Sequence, residues 1–177
     1  MANDALQEEA RELLDGAVQL RRDLHRRPEV GNDLPITRDR ILEELEDLDL
    51  DVTLHESTSG IAALLTGGKP GPTVLLRGDM DALPLHEDSG VDFSSQVDDS
   101  MHACGHDTHT AMLAASAKVL SARRAASSRA DPASMATWVS CPQACMAPST
   151  SLAKSSPVCS GIGRASMSPR RRIVGPG

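Results

Sequence analysis

Apolar residues recur at helical spacing through the first third of the chain. Isoleucine, leucine and valine recur every three or four positions in two segments, residues 4–27 and 36–52. Pro28 ends the first of these segments. Two short apolar runs follow, at residues 60–67 and 73–76, separated by the turn-forming stretch GGKPGPT. Alanine and leucine then dominate residues 107–124, which predicts a further helix. This order of helices and strands predicts an α/β domain.

The composition of the chain changes abruptly after residue 122. Residues 1–122 contain 10 Lys or Arg against 24 Asp or Glu, whereas residues 123–177 contain 8 against 1. The second segment is rich in Ser, Ala and Pro and has only 6 Leu, Ile or Val. So few large aliphatic side chains cannot offset the conformational entropy lost on folding. We therefore expect one folded domain over residues 1–122 and a basic, irregular tail over residues 123–177.

Charge and hydropathy exclude some classes of partner. The net charge is −7 and the pI about 5.3, which argues against binding to nucleic-acid phosphates. The first residues, MANDALQEEARELL, lack the basic region and apolar core of a secretory signal. No apolar run approaches the roughly 20 residues that cross a bilayer. We expect a cytoplasmic protein with no nucleic-acid and no membrane partner.

Residues 99–113, DSMHACGHDTHTAML, concentrate the candidate metal ligands of the chain. Cys104 and His106 flank a glycine, and thiolate with imidazole suits zinc and similar divalent metals. Asp81, just after the second predicted strand, can orient such a ligand or bind directly. The alternative is a helix N-terminus capped by Asp107, Thr108 or Thr110, with the histidines in solvent. Residue types alone leave both interpretations open.

The predicted strands allow a geometric expectation. Residues 60–67 and 73–76 should pair as neighbours in one sheet. Open α/β sheets gather their ligand sites at the carboxyl edge of the strands. We therefore expect Asp79 and Asp81 to emerge at that edge beside Cys104 and His106.

Three ordered motifs point to a known family. LRRDLHRRPEVG, LLRGDMDALPLHED and MHACGHDTHTAMLAASAKVL resemble the zinc/manganese amidohydrolases of the aminoacylase and carboxypeptidase type. The branch they resemble holds hippurate hydrolases, N-acyl-amino-acid amidohydrolases and auxin-conjugate hydrolases. The resemblance implies the N-terminal portion of a mixed-sheet metallohydrolase domain, two divalent metals (zinc or manganese) and a small N-acyl amino acid as substrate. The dimerisation domain of the family is expected to be absent here.

The resemblance also implies roles for single residues. Cys104 and His106 match metal ligands, and Asp81 matches the acidic residue that organises the metal site and is our catalytic candidate. Asp79 is a weaker candidate of the same kind. Within the motifs, the residues not expected to bind metal directly are His102, Asp107 and His109. His25, at the end of a helix, is expected to pack or cap locally.

The match is expected to stop at about Arg124. The family next carries a pair of glutamates, one the general base and the other a metal ligand, and later histidine ligands. Residues 123–177 contain neither glutamate nor histidine. A frameshift or an erroneous gene model explains such a tail, and the alternative is a genuine basic tail ending in PRRRIVGPG. Its cysteines, Cys141, Cys145 and Cys159, fit no common zinc spacing.

Two functions therefore stay open. The first is metal-dependent hydrolysis of the amide bond of N-acyl amino acids, with this chain an incomplete copy of such an enzyme. The second is a catalytically inactive fragment with at most weak metal binding.

Overall fold

Helices and a five-stranded sheet make up the described part of the chain, residues 2–68, 74–126, 134–138 and 171–173, in a computed structural model. The helices are α1 (Ala2–Glu12), α2 (Leu14–Arg26), α3 (Pro35–Leu45) and α4 (His106–Ala126). The strands are β1 (Leu50–Leu54), β2 (Ile61–Leu65), β3 (Val74–Gly78), β4 (Ser134–Trp138) and β5 (Arg171–Ile173). The predicted α/β class is confirmed. No helix among these residues is long and apolar enough to cross a membrane.

The first predicted helix is divided in two. Leu13 has φ −87° and ψ −8°, well away from the ψ of about −42° of a regular α-helix. The break therefore separates α1 from α2 at this one residue. The end of α2 at Arg26 agrees with the expected stop before Pro28.

The N-terminus of α3 is capped by a carboxylate from the preceding loop. Glu29 accepts hydrogen bonds from the backbone amides of Thr37, at 2.7 Å, and of Ile36, at 3.2 Å. These amides belong to the first turn, where no earlier helical carbonyl is available to them. The negative charge also suits the positive end of the helix dipole. This cap fixes the motif around Pro28 to the helix that follows it.

The sheet has the order β3-β4-β2-β1-β5. The expected direct pairing of residues 60–67 with 73–76 is wrong, because β4 lies between β2 and β3. β4 runs parallel to β3 and follows it through α4, as in a βαβ crossover. The remaining neighbours, β4 with β2, β2 with β1 and β1 with β5, are antiparallel.

Part of the expected irregular tail is therefore regular. Residues 134–138 and 171–173 are strands of the sheet, and α4 continues through the expected boundary to Ala126. The segment SMATW of β4 is too short and too poor in aliphatics to show a period, although Thr and Trp favour strands. The three tail cysteines lie outside the described residues. The division at residue 122 stays a prediction.

The core lies between the helices and β1 and β2. Along β2 the buried residues alternate, as in a strand with one covered face. The apolar side chains of this core are Leu20, Leu24, Leu34, Ile41, Leu45, Leu50, Val52, Ile61, Ala63, Leu65, Met80, Ala111, Leu113, Ala114 and Ala117. A Cβ on Gly78 would lie 3.3 Å from Leu113 Cδ2. Glycine at the end of β3 therefore lets α4 approach the strand closely.

Two isoleucines of α3 test this core. Ile41 is fully buried and Ile36 is 50% exposed. Ile41→Ala should lower the free energy of unfolding by about 2–5 kcal/mol, because it leaves a cavity. Ile36→Ala, the matched control on the same helix, should cost less than about 1 kcal/mol. Urea unfolding monitored by circular dichroism measures both, and equal losses would contradict the assigned core.

Candidate metal centre

Backbone hydrogen bonds bring the three sequence motifs together. The amide of Ala82 donates to the carbonyl of Glu29 at 2.8 Å, which joins the first motif to the second. Leu83 and Met101 exchange amide-to-carbonyl bonds of 2.9 and 3.0 Å, which joins the second to the third. The motifs, far apart in sequence, therefore form one local structure at the start of α4.

A left-handed glycine forms the turn between the two candidate ligands. Gly105 has φ +81°, and no atom lies within 4 Å of a Cβ built on it. The backbone conformation, and not crowding, is thus what requires glycine here. Its carbonyl accepts the amides of Thr108 and His109, each at 3.0 Å. Cys104 and His106 consequently stand on the two sides of a turn that opens directly into α4.

His106 is held by the residue that follows β3. Its Nδ1 donates to the carbonyl oxygen of Asp81 at 2.8 Å and lies 3.1 Å from Asp81 Oδ1. The Asp81 side chain raises the pKa of His106, against the opposing effect of burial. With Nδ1 occupied, Nε2 has no hydrogen-bond partner among the described side chains. This is the arrangement of a histidine whose free nitrogen ligates a metal.

Cys104 presents a thiol at the other side of the turn. The residue is exposed and forms no disulfide. Partial burial of the sulfur raises the pKa of the thiol, and the charges of Asp81 and Asp107 act in the same direction. A metal that binds here must therefore displace the thiol proton, so that binding strengthens as the pH rises.

Asp79, the weaker candidate, is directed elsewhere. Its carboxylate pairs with Arg77 at 2.5 Å. Burial raises its pKa, although Arg77 opposes this. Its backbone carbonyl accepts the hydroxyl of Thr110 at 3.0 Å, which fixes the first turns of α4 to the end of β3. Asp79 thus holds α4 through its backbone, whereas Asp81 contacts His106 itself.

The alternative interpretation, in which the histidines of residues 99–113 lie in solvent, holds for only one of the three. His102 and His106 are buried, while His109 is exposed. Burial lowers the pKa of His102 to about 4, and nearby positive charge adds to this. Neither ring nitrogen of His102 has a hydrogen-bond partner within the described structure. His102 is therefore a buried neutral imidazole with both nitrogens unsatisfied.

A buried ion cluster was missed by the sequence analysis. Asp107 has a fully buried side chain and lies 2.6 Å from His25 and 2.8 Å from Arg21, both on α2. The second nitrogen of His25 contacts Glu87 at 3.2 Å. The sequence analysis expected His25 to pack or cap locally, and it gave Asp107 as one of three possible helix caps in the alternative interpretation. The spacing of four residues between Arg21 and His25 puts both side chains on one helix face. The local sequence gives no indication that Asp107 is the residue they contact.

The donor chemistry of this centre fits a metal, as part of a larger ligand set. Apart from the contact with His106, Asp81 Oδ1 is buried without a hydrogen-bond donor in the described ranges. Such a carboxylate oxygen is costly unless a cation meets it. Within residues 2–68, 74–126 and the two tail strands, however, no three His, Cys, Asp or Glu residues are grouped as a metal site. The described residues therefore supply two candidate ligands and an orienting carboxylate.

Comparison with known families supports this interpretation. Residues 75–135 match the family described as peptidase family M20/M25/M40. The match contains all but the first residue of β3, the turn and α4, and it continues past Arg124, where the sequence analysis expected it to stop. Residues 75–135 are thus similar to this family of hydrolases, and the resemblance drawn from the motifs is confirmed.

Relatives and solved structures agree. The chain is 41% identical over 118 residues to thermostable carboxypeptidase 2 of Saccharolobus solfataricus (66% of this chain, 30% of the relative). It is 39% identical over 122 residues to N-acyl-L-amino acid amidohydrolase of Geobacillus stearothermophilus (66% and 33%). A Bacillus subtilis structure described as a dinuclear metal-binding peptidase of the M20 family superposes with a TM-score of 0.65 at 32% identity (75% and 36%). The chain thus spans about a third of the length of each of these proteins.

The buried carboxylate of Glu87 generates a pH prediction. Burial alone would raise its pKa, but hydrogen bonds from Ser89, Ser95 and His25 lower it from 4.5 to about 2. A lowered folded-state pKa stabilises the fold above the unfolded value, and this stabilisation is lost as the pH falls toward 2. Glu87→Gln should therefore be less stable than the parent chain near neutral pH, with the difference shrinking below pH 4.5.

Thermal unfolding across this pH range measures the difference. Asp88→Asn is the matched control, since it makes the same acid-to-amide change at the exposed neighbour, and it should have little effect on stability. A Glu87→Gln deficit that stays constant or grows on acidification would contradict the assigned hydrogen bonds.

Proposed function

We propose that this chain carries one side of the metal centre of an amidohydrolase that cleaves the amide bond of N-acyl amino acids. Cys104 and His106 are its metal ligands, and Asp81 orients His106. The observation that carries the proposal is the fixed imidazole of His106, whose Nδ1 is held by Asp81 while no hydrogen bond to Nε2 is found among the described residues. The similarity to an N-acyl-L-amino acid amidohydrolase supports the substrate class.

Each residue has a defined task in this proposal. Asp81 keeps the proton of His106 on Nδ1, so that Nε2 presents its lone pair. Gly105 forms the turn that separates the two proposed ligands, Cys104 and His106. A divalent metal at such a centre supplies Lewis-acid polarisation of the scissile carbonyl. Thiolate and imidazole together favour zinc, and the carboxylate nearby also suits manganese.

A second candidate is an inactive metal-binding chain. Hydrolysis needs a positioned general base, and loss of such a base costs about 10²–10⁴ in rate. The residues from 123 onward contain no glutamate and no histidine. We propose that this composition, which a frameshift or an erroneous gene model explains, leaves the chain without its base. The two candidates share the metal ligands and differ in turnover.

Cobalt binding tests the metal site. Added Co²⁺ should give the charge-transfer absorption of a cobalt–thiolate bond, and Cys104→Ser should abolish it because the sulfur is lost. His106→Ala should weaken binding strongly, while His109→Ala, three residues along α4 and exposed, should not. A triple serine variant of Cys141, Cys145 and Cys159 should keep the signal. Absorption that follows the tail cysteines instead would overturn the site.

Amine release from hippurate then separates the two candidates. With zinc, manganese or cobalt added, we expect the full chain to hydrolyse hippurate no faster than the free metal ion. Turnover that disappears in Cys104→Ser would contradict the inactive candidate and establish the amidohydrolase. Cobalt binding without turnover is the result predicted for a chain that holds ligands but lacks the base.

A further inference from the structure

The residue after His106 lies in a buried cluster of charges. The Asp107 side chain is completely buried, and its Oδ2 lies 2.6 Å from His25 Nδ1 and 2.8 Å from Arg21 Nε. Its Oδ1 accepts the amide of Thr108 at 2.8 Å. A buried carboxylate is tolerated only when donors surround it, and here α2 provides two of them. The first turn of α4 is thereby attached to α2 through one side chain.

His25 extends the cluster into the loop before the turn. Its Nε2 lies 3.2 Å from Glu87 Oε1, while Glu87 Oε2 accepts the amide of Ser95 at 2.6 Å. Each ring nitrogen of His25 thus faces a carboxylate oxygen, one of Asp107 and one of Glu87. Three separate segments, α2, the loop and α4, therefore meet at this one imidazole.

A single aromatic ring covers the cluster. Phe93, the one phenylalanine of the chain, has its centroid 4.6 Å from the guanidinium carbon of Arg21. The same ring meets the imidazole of His25 edge-on, with centroids 5.5 Å apart. Contact with an aromatic face stabilises the cation and excludes water from its ion pair. The cluster is thus shielded although Arg21 keeps a 28% exposed side chain.

The position of these charges indicates what they do. Buried ion pairs contribute little net stability, because desolvation offsets most of their attraction, but they restrict geometry. Asp107 is held from α2 while the adjacent His106 is held from the end of β3 by Asp81. We propose that Arg21 and His25, acting through Asp107, are positioning residues that fix the Cys104–Gly105–His106 turn for metal binding. This inference rests on the proposed metal site.

Cobalt affinity of the full chain tests the positioning role. His25→Ala and the milder Arg21→Gln should each weaken Co²⁺ binding by about 10–100-fold, as expected for groups that orient a metal ligand through another residue. The visible absorption of the bound cobalt should also change in both variants, because the ligands are no longer held in one geometry. His25→Gln, which keeps a donor toward Asp107, should recover part of the affinity.

The matched control lies on α4, the helix that begins at His106. Lys118 pairs with Glu44 about three helical turns beyond His106, and Lys118→Met removes that ion pair. It should lower thermal stability while leaving Co²⁺ affinity within about twofold. If His25→Ala does not fold, Arg21→Gln alone tests the positioning role, because the Arg21 side chain is partly exposed and its replacement disturbs the fold less.

The outcomes separate this inference from the proposed function. If the parent chain binds no cobalt through Cys104, both are overturned. If the parent chain binds cobalt and Arg21→Gln binds it equally well, the positioning role is overturned and the metal site stands. If Lys118→Met weakens binding as much as Arg21→Gln, the cluster acts through global stability alone and the positioning role is again overturned.

Discussion

The hydrogen bond between His106 Nδ1 and the carbonyl of Asp81 is the contact on which the site depends. It joins the first residue of α4 to the segment that leaves β3, at 2.8 Å and out of solvent. A backbone carbonyl only accepts, so this bond decides which ring nitrogen carries the proton. The orientation of the ring and the availability of Nε2 both follow from it.

The surrounding fold preserves this contact from two directions. On the sheet side, α4 links β3 to β4 as a crossover, and Gly78 allows the helix to approach the strand closely. On the helix side, Asp107 is held by Arg21 and His25 of α2. The two attachments act on adjacent residues, so the start of α4 can neither slide along the strand nor rotate away from α2. The turn at Gly105, which holds Cys104, directly precedes this anchored start of α4.

Local pattern predicted much of this structure, and its failures have a common cause. Helical spacing predicted α2 and α3, because one face of each must meet the core, and the alanine and leucine content predicted α4. The neighbour of β3 was predicted wrongly, because β4 comes from a short segment after α4 whose composition hides its partner. The break at Leu13 was also missed, since a single backbone angle leaves no trace in the apolar spacing.

The same distinction holds within the site. Cys104 and His106 could be chosen from residue chemistry and the short glycine turn. The fully buried side chain of Asp107 and its partners on α2 could not, because the charges that meet there are about eighty residues apart in the chain. The motif LRRDLH shows that charged residues are present but does not show which carboxylate they meet. Arg21 and His25 of this motif take fixed positions because both contact the buried carboxylate of Asp107.

The tautomer of His106 tests the central claim most directly. In the metal-free chain, with histidine nitrogens isotopically labelled, long-range nitrogen–proton correlation spectra at alkaline pH distinguish the two neutral forms of the ring. The account predicts a His106 ring protonated at Nδ1, held by Asp81, with Nε2 unprotonated. A ring protonated at Nε2 would contradict it, because Nδ1 could then not donate to the Asp81 carbonyl and the nitrogen assigned to the metal would already carry a proton.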